Sequence, residues 1–363
     1  MKKTTYFTAH FMLFLLIVGS CGYSYAQTLV AGVVQWNRSG NHYVRGTASR
    51  ICKLDAFSGD IEPLTNGRVD DTYPVLSHNK KFCLYMHGSS SLYMLNMKSH
   101  KRTCLYSGVS SGVPDDELLD YQWSFDDNYV AVLHTDDADT TAISSLIILS
   151  RAGKAITKIN SAMYSMWAND SDRIYFVNRD YSLFIRRITG SKSRNIVNNC
   201  CPILTINPSK ILVFVRSIVS KDISLSVLNL KSLQLSPIAT IRDIAFRPWA
   251  YRISWARCTK DIYVICCRYQ ASDGLHGNSI LINLKDKVHY DYFDKSDVDY
   301  QLAGAISNHQ FVLVANHWKG GYKKAGFRNS VLILVDTRMQ NKRKYLLSPK
   351  NFELDGASVF VVK

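Results

Sequence analysis

Short apolar runs separated by polar turns recur along most of this chain. The stretch from Tyr73 to Met97 is one example: a first run ends at Leu76, a polar turn follows, and two further runs, Phe82–Met86 and Leu92–Asn96, come after it. Runs of this length bounded by polar turn residues are typical of β-strands, whereas the spacing of an amphipathic helix is almost absent. The pattern therefore predicts a chain built of short β-strands.

The same order of run, turn, run and loop returns at a regular interval. A large apolar residue stands just before the turn of each copy, and seven such marker residues are present: Trp36, Leu76, Trp123, Trp167, Ile206, Trp255 and Ile306. Neighbouring markers are 39 to 51 residues apart. This period, with about four short strands in each copy, is the pattern of a β-propeller blade. We therefore expect an all-β domain at residues 27–363, a single β-propeller of about seven four-stranded blades.

The last residues form an apolar run that has no repeat of its own. This run, Ala357–Lys363, reads Ala-Ser-Val-Phe-Val-Val-Lys. A propeller whose ring stays open exposes a sheet edge. We therefore expect this terminal strand to pair with the first or the last blade and to close the ring.

Several copies also resemble a known repeat. The order Pro74-x-x-Ser77, polar turn, apolar strand and Leu92-Tyr93-x-x-Asn96 is similar to TolB-type propeller repeats, in which P-x-W-S-P-D-G-[KR] leads into a strand and then L-Y-x-x-D. The resemblance covers most of residues 33–340, but no copy keeps the whole Ser-Pro-Asp-Gly turn. It implies a propeller architecture. It implies no single function, because such propellers include partner-binding scaffolds, peptidase gating domains and polysaccharide lyases.

The first 26 residues resemble a secretory signal. Two lysines precede the apolar run Phe11–Gly19, which is too short to cross a bilayer. Val18–Cys21 resembles a bacterial lipobox with Cys21 as the lipidated residue, while Ser24–Ala26 is a small-x-small site for ordinary cleavage. We expect residues 1–26 to be a signal peptide of one of these two types. The protein is then exported and held in the periplasm by a lipid, or it is secreted.

The expected export changes which class of partner the net charge suggests. The formal net charge is +15, which in a cytoplasmic protein would suggest nucleic acid. For an exported protein, lipid headgroups and acidic glycans are the more suitable polyanions, and a basic surface that serves solubility alone is the alternative. We expect a monomer that binds no nucleic acid and meets the membrane only through its lipid.

Eight cysteines follow residue 26, and an even number in an exported chain allows disulfides without showing which residues pair. No C-x-x-C pair is present, which argues against a zinc ribbon or a thioredoxin-like site. Several of these cysteines lie inside apolar runs, where a buried small side chain is the simpler interpretation.

Three histidines occupy one position of the repeat. Each follows its marker residue by 11 positions: His87, His134 and His317. Imidazole is the commonest metal ligand and titrates near neutral pH, so the three predict a metal or proton-transfer site. The alternative is that histidine suits a half-exposed strand end beside polar loops. Acidic groups such as Asp70-Asp71 should form a solvated rim on the same side of the disc.

The last long loop, at residues 316–329, mixes aromatic and basic side chains. Its candidate binding residues are His317, Trp318, Lys319, Tyr322, Lys323, Lys324, Phe327 and Arg328. Aromatic rings interleaved with cations suit a sugar ring, an anionic glycan or a protein hot spot. A solvated loop without a ligand is the alternative.

These patterns favour a non-catalytic, exported β-propeller that binds an envelope protein or an anionic glycan through its loop-rich side. No H-E-x-x-H or phosphate-binding glycine loop is present, and we assign no catalytic residue and no cofactor. The alternative is a propeller-fold lyase or hydrolase that processes glycans with its histidines, since a lyase can work with a few dispersed side chains.

Overall fold

The computed structural model describes residues 27–39, 42–45, 48–55, 59–88, 90–107, 118–135, 144–216, 223–241, 252–257, 262–271, 274–284, 288–293, 298–307, 309–318, 327–336, 343–346 and 352–361. Within these ranges every regular element is a β-strand, as the sequence pattern predicts. The same ranges hold no helix that is long and apolar enough to cross a membrane.

The described strands form six four-stranded antiparallel sheets, which we call blades one to six. Blade one contains β5 (Asp71–Leu76), β6 (Phe82–His87), β7 (Ser91–Asn96) and β8 (Arg102–Ser107). Blade two contains β9 (Leu118–Trp123), β10 (Tyr129–Thr135), β11 (Ser144–Ser150) and β12 (Ala155–Asn160). Blade three contains β13 (Ala162–Trp167), β14 (Arg173–Asn178), β15 (Leu183–Arg187) and β16 (Ser193–Val197).

The second half of the chain repeats this arrangement. Blade four contains β17 (Cys200–Asn207), β18 (Lys210–Arg216), β19 (Ile223–Asn229) and β20 (Leu235–Ile241). Blade five contains β21 (Arg252–Arg257), β22 (Ile262–Ala271), β23 (Gly274–Asn283) and β24 (Val288–Phe293). Blade six contains β25 (Val298–Ser307), β26 (Gln310–Trp318), β27 (Phe327–Asp336) and β28 (Arg343–Leu346).

A further sheet, the terminal sheet, joins the two ends of the described chain. It contains β1 (Gln27–Ser39), β2 (His42–Arg45), β3 (Arg50–Asp55), β4 (Ile61–Pro63) and β29 (Phe352–Val361). Strand β29 runs antiparallel to β1, with Val361 opposite Gln27. The predicted pairing of the terminal run with the first unit is therefore present, although the strand begins earlier, at Phe352.

The expected blade count was wrong, because the described strands form six four-stranded blades rather than about seven. The N-terminal repeat differs from these blades, because its sheet has five strands, four from its own residues and β29 from the far end of the chain. Its long strand β1 pairs with β3 along one half and with β2 along the other, and the remaining edge is taken by β29. The sheet of this repeat therefore includes residues from the far end of the chain.

In blades one to four, where burial is described, the first strand is more buried than the fourth. All six residues of β13 are buried, whereas the first three residues of β16 are exposed. The apolar faces of neighbouring sheets pack against each other: Leu84 and Leu92 of blade one, for example, share a cluster with Val130 of blade two. Similar clusters join the terminal sheet to blade one and to blade six. Because the sheets are buried on both faces, their second strands read as almost continuous apolar runs.

The tryptophan markers also bind neighbouring blades through hydrogen bonds. The indole Nε1 of Trp123 donates to the carbonyl oxygen of Val75 at 3.1 Å, and that of Trp167 donates to the carbonyl of Gln122 at 3.3 Å. Each indole thus reaches the first strand of the preceding blade. A buried indole N–H needs such a partner, which explains why tryptophan suits this repeat position.

The two sides of the disc differ in their connections. The turns between first and second strands and between third and fourth strands lie on one side, the turn face. The connections between second and third strands lie on the other, together with those between blades, and we call this side the loop face. On the turn face, Lys80, Asp127 and Ser171 have φ values of 61°, 58° and 56° at the position that the TolB-type repeat gives to glycine. The turn is therefore kept although the glycine is lost.

Candidate functional site

The three predicted histidines do occupy equivalent places in their blades. His87 is the last residue of β6, and His134 and His317 are the last but one of β10 and β26. Their partners on the third strands are Ser91, Ser145 and Asn329. All three therefore lie at the loop-face end of a second strand.

Equivalence does not bring His87 and His134 together. His87 lies on the same strand face as Cys83 and Tyr85, which pack against the terminal sheet. His134 lies on the same face as Val130 and Val132, which pack against blade one, and its ring is 5.4 Å from that of Tyr106. Blade one thus lies between the two imidazoles. Equivalent positions of neighbouring blades are related by a rotation about the propeller axis, so the two rings face different interfaces between blades.

The side chain of His317 lies outside the described residues, so the metal site of three histidines stays a prediction. In the described part of the chain, no three side chains of histidine, cysteine, aspartate or glutamate are grouped as metal ligands. His134 is 3% exposed, whereas the side chain of His87 is 26% exposed. Of these two histidines, His87 is the one that a ligand can reach.

A buried carboxylate holds His87. The imidazole Nδ1 lies 2.6 Å from Oδ1 of Asp71, the residue opposite it on β5. Since a carboxylate only accepts, Nδ1 carries the proton and donates. The side chain of Asp71 is fully buried, so the solvated rim expected for Asp70-Asp71 was wrong for Asp71. The pair orients the ring and leaves Nε2 as its second polar atom.

The loop before β3 covers this pair from the terminal sheet. The amide of Ser49 donates to Oδ1 of Asp70 at 2.6 Å, and the amide of Asp71 donates to the carbonyl of Ser49 at 3.0 Å. Two buried oxygens beside these bonds, Oδ2 of Asp71 and Oγ of Ser49, have no hydrogen-bond partner among the described residues. Native proteins rarely leave such atoms unpaired, and each calls for an explanation.

Two tyrosines complete the surroundings of His87. The ring of Tyr93 lies 4.8 Å from the imidazole, and the ring of Tyr85 lies 5.9 Å from that of Tyr93. Burial and the negative charge of Asp71 raise the pKa of Tyr85, and burial together with Cys104 raises the pKa of Tyr93. Both phenols therefore keep their protons at neutral pH and can donate hydrogen bonds.

We call Asp71, His87, Tyr93 and Ser49 the loop-face site. A carboxylate behind an imidazole fixes the tautomer and the orientation of the ring. The Nε2 atom can therefore accept a hydrogen bond, take a proton or bind a metal ion. The sequence spacing pointed to His87 alone. Asp71 was missed because adjacent aspartates suggest a solvated loop, and Tyr93 because it belongs to the repeat itself.

The predicted binding loop lies largely outside the described residues. Residues 319–326 fall outside them, as do the side chains of His317, Trp318, Phe327 and Arg328. The backbone of Trp318, at the end of β26, is paired with that of Phe327 at the start of β27. The two ends of the loop are therefore held next to each other, and binding by this loop stays a prediction, as does lipidation of Cys21.

Comparison with known proteins supports the architecture. No family model and no curated relative matches the sequence. Among solved structures, the chain is similar to an oligogalacturonate lyase in complex with manganese, with a TM-score of 0.56, 11% identity and coverage of 80% of this chain and 83% of the lyase. It is similar to the β-propeller domain of the trilobed protease from Pyrococcus furiosus, with a TM-score of 0.52, 10% identity and coverage of 88% and 98%.

TolB from Acinetobacter baumannii matches with a TM-score of 0.48, 10% identity and coverage of 90% of this chain and 82% of TolB. At such identities a likeness shows the fold alone, and the TolB match is too distant to add to it. The lyase and the protease domain establish that the chain is a single all-β propeller, and they leave its activity open.

Proposed function

We propose that this chain is an exported β-propeller that acts by binding, and that its partner docks on the loop face over the loop-face site. The partner is an envelope protein or an anionic glycan. The observation that carries the proposal is the pair of Asp71 and His87, in which a fully buried carboxylate holds an imidazole that is 26% exposed. A rigid propeller suits this role, because binding residues on loops need a fixed scaffold.

Energetics support a ligand at this place. Burying a carboxylate is costly unless its oxygens are paired, and Oδ2 of Asp71 has no partner in the described part of the structure. An apolar residue at position 71 would avoid the cost of burying this charge. Retaining the charge makes sense if His87 must be oriented to meet a partner, and Tyr93 beside it is a residue type enriched in binding hot spots.

The proposal includes the cellular setting predicted from the sequence. Export depends on residues 1–26, with Cys21 as the lipid attachment point or with ordinary cleavage after Ala26. The pairing of β29 with β1 would close the ring and fix the loop that carries Ser49 beside blade one. The protein would act as a monomer, without a cofactor and without nucleic acid.

The test is a crosslinking pull-down from intact cells with the tagged full-length chain and its own signal. Wild type is compared with a His87→Ala/Tyr93→Ala variant and with His78→Ala, which removes a histidine that is also paired with an aspartate but lies on the turn face. We expect the same one or two envelope components with wild type and His78→Ala, and their loss with the double variant. Equal recovery by all three proteins would contradict binding at the loop-face site.

A second candidate function is glycan processing, and the oriented imidazole favours it. Nε2 of His87 would take the proton α to the carboxylate of a uronic acid, a carbon–carbon double bond would form as the bond to the leaving sugar oxygen breaks, and that oxygen would take a proton from water. The test is incubation of the purified protein with polyuronate oligosaccharides, followed by detection of new unsaturated or reducing ends. Products that disappear with His87→Ala would replace binding by catalysis, whereas tight binding without turnover would exclude this candidate.

A further inference from the structure

A basic cavity of about 510 Å³ lies on the turn face of blade three, away from the loop-face site. Five cationic side chains line it: Arg173, Arg186, Arg187, Lys192 and Arg194. Its volume falls in the range of small-molecule sites. The site lies where β14 begins, β15 ends and the turn into β16 passes, and none of its residues belongs to the predicted binding loop.

Strand register places three guanidinium groups on one face of the blade. Arg173 and Arg187 are directly opposite each other on β14 and β15, and Arg194 on β16 is opposite Ile185. Because side chains alternate along a strand, Arg173, Arg187 and Arg194 share one side of the sheet. Like charges directly opposite each other destabilise a sheet, so this arrangement needs anions nearby.

The carboxylates of the described residues meet only part of this need. Asp170 binds Arg173 with an Oδ2–Nε distance of 2.6 Å, and Asp172 lies 3.6 Å from Nε of Arg187. The first pair is tight, and it raises the pKa of Arg173. The second leaves Arg187 largely free to turn, since its side chain is 74% exposed.

The other three cations have no carboxylate partner within the described part of the chain. Arg186 is held by neutral groups, because it donates to the carbonyl of Gly190 at 2.8 Å and to Oγ1 of Thr157 at 3.0 Å. Its guanidinium is thus fixed in place with its charge uncompensated. By the same alternation, Arg186 lies on the opposite side of the sheet from Arg187 and Arg194, towards Thr157 of blade two, whereas Lys192 and Arg194 are exposed.

We propose that the basic cavity binds a phosphate group. A phosphate monoester carries nearly two charges and three strong acceptor oxygens, which suits the exposed cations Arg187, Lys192 and Arg194 better than a single carboxylate does. Arginine forks bind phosphate through paired N–H donors, and Arg187 and Arg194 present theirs on one side of the sheet. Two sources share this chemistry, a lipid headgroup and a soluble sugar phosphate. The cavity and the loop-face site lie on opposite faces, so both can be occupied together.

The test uses the full-length protein with Cys21→Ser in every sample, so that no lipid attachment contributes to membrane binding. Binding of glucose 1-phosphate is measured by calorimetry. Binding to vesicles of phosphatidylcholine with phosphatidic acid is measured by sedimentation, with phosphatidylcholine alone as the blank. Binding to the phosphatidic acid vesicles without binding to glucose 1-phosphate would indicate a lipid headgroup. Binding to glucose 1-phosphate would indicate a soluble ligand.

The variant Arg187→Gln/Arg194→Gln removes two cations of the cavity. Lys98→Gln/Lys101→Gln is its matched control, because it removes the same charge from the corresponding exposed turn of blade one. We expect the first variant to weaken binding about tenfold and the control to change it by less than about twofold. Equal losses in both variants would show general attraction to a basic protein, and absence of binding to both probes would overturn the proposal.

Discussion

Two histidine–aspartate pairs lie on opposite faces of the disc, and they use their carboxylates differently. On the turn face, Nδ1 of His78 lies 3.0 Å from Oδ1 of Asp127, which belongs to the next blade. On the loop face, Nδ1 of His87 lies 2.6 Å from Oδ1 of Asp71, within one blade. Both aspartate side chains are buried, at 4% and 0% exposure. Burial and the presence of a histidine partner therefore do not separate a structural pair from a functional one.

The second oxygen makes the distinction. Oδ2 of Asp127 accepts from the amide of Asn79 at 2.9 Å, while its Oδ1 also accepts from the amide of His78 at 2.7 Å. Oδ2 of Asp71 is buried and has no partner among the described residues. A fully engaged carboxylate is explained by the fold alone. A buried carboxylate oxygen without a hydrogen-bond partner is not explained by the fold alone. The oxygen of this kind in Asp71 lies at the loop-face site.

Asp127 connects two blades, and the next turn does the same in a weaker form. The hydroxyl of Ser171 accepts from the amide of Asp126 at 3.1 Å. Asp127 and Ser171 both occupy the position with positive φ that the TolB-type repeat gives to glycine. Glycine relaxes the backbone there, but only a side chain can reach the preceding turn. At this position the chain thus loses the conformational freedom of glycine and gains hydrogen bonds between blades.

The largest expected effect is that of Asp127→Asn on stability. The amide nitrogen would face one of the N–H groups of His78 and Asn79 that now donate to the carboxylate, and one buried donor would lose its acceptor. We expect the free energy of unfolding to fall by about 2 kcal/mol, measured by urea denaturation. Asparagine tolerates the left-handed backbone, so strain does not contribute.

The matched change Asp71→Asn should cost less than about 0.5 kcal/mol, because an amide at Oδ2 meets no donor in the described surroundings and removes a desolvated charge. Recovery of the partner in the pull-down should nevertheless fall, since a neutral amide oxygen at Oδ1 binds the Nδ1–H of His87 more weakly than a carboxylate and holds the ring less firmly. If Asp71→Asn destabilised the protein as much as Asp127→Asn, both pairs would be structural and the comparison would fail.

The sequence was a good guide to the blades. The first strands end at Leu76, Trp123 and Trp167, just before the predicted polar turns. These strands and turns could be predicted because they depend on residues that are neighbours in the sequence. The terminal sheet was predicted only in part. The pairing of Gln27 with Val361 joins distant residues, and no local pattern determines how many strands such a sheet will contain.

The loop-face site was predicted less well than the fold. Equal spacing of His87 and His134 suggested a common centre, but equal repeat positions in a ring are related by rotation and face different blade interfaces. The burial of Asp71 depends on the loop that carries Ser49, which comes from another sheet. Residue type and spacing cannot show which acidic side chain a distant loop will cover.

Thiol reactivity offers a smaller test of the loop-face site. Of the five cysteines whose side chains the structure describes, none is in a disulfide and only Cys104 is exposed, and it lies opposite Tyr93. Burial raises the pKa of Cys52 and of Cys200 to about 12, so these thiols should stay unlabelled by iodoacetamide at pH 8 while Cys104 reacts. Peptide mapping by mass spectrometry checks this order.

The same label extends the comparison to binding. A bulky maleimide on Cys104 should reduce recovery of the partner, because the group stands beside Tyr93 and His87. Cys104→Ser treated with the same reagent is the control and should bind like wild type. Undiminished binding by the labelled protein would place the partner elsewhere on the propeller.

The smallest expected effect concerns Asp126, the neighbour of Asp127 on the turn face. Burial tends to raise the pKa of this carboxyl, but hydrogen bonds from Ser124 and Asn128 outweigh it and hold the pKa below the ordinary value of 3.8. A lowered carboxyl pKa contributes stability above the unfolded pKa, and the contribution is lost as pH falls through the lower folded value. Thermal midpoints of wild type and Asp126→Asn should therefore differ at pH 6 and converge as the pH falls below the ordinary value of 3.8. Parallel curves over this range would show that the turn is held by Asp127 and Ser171 without help from the charge of Asp126.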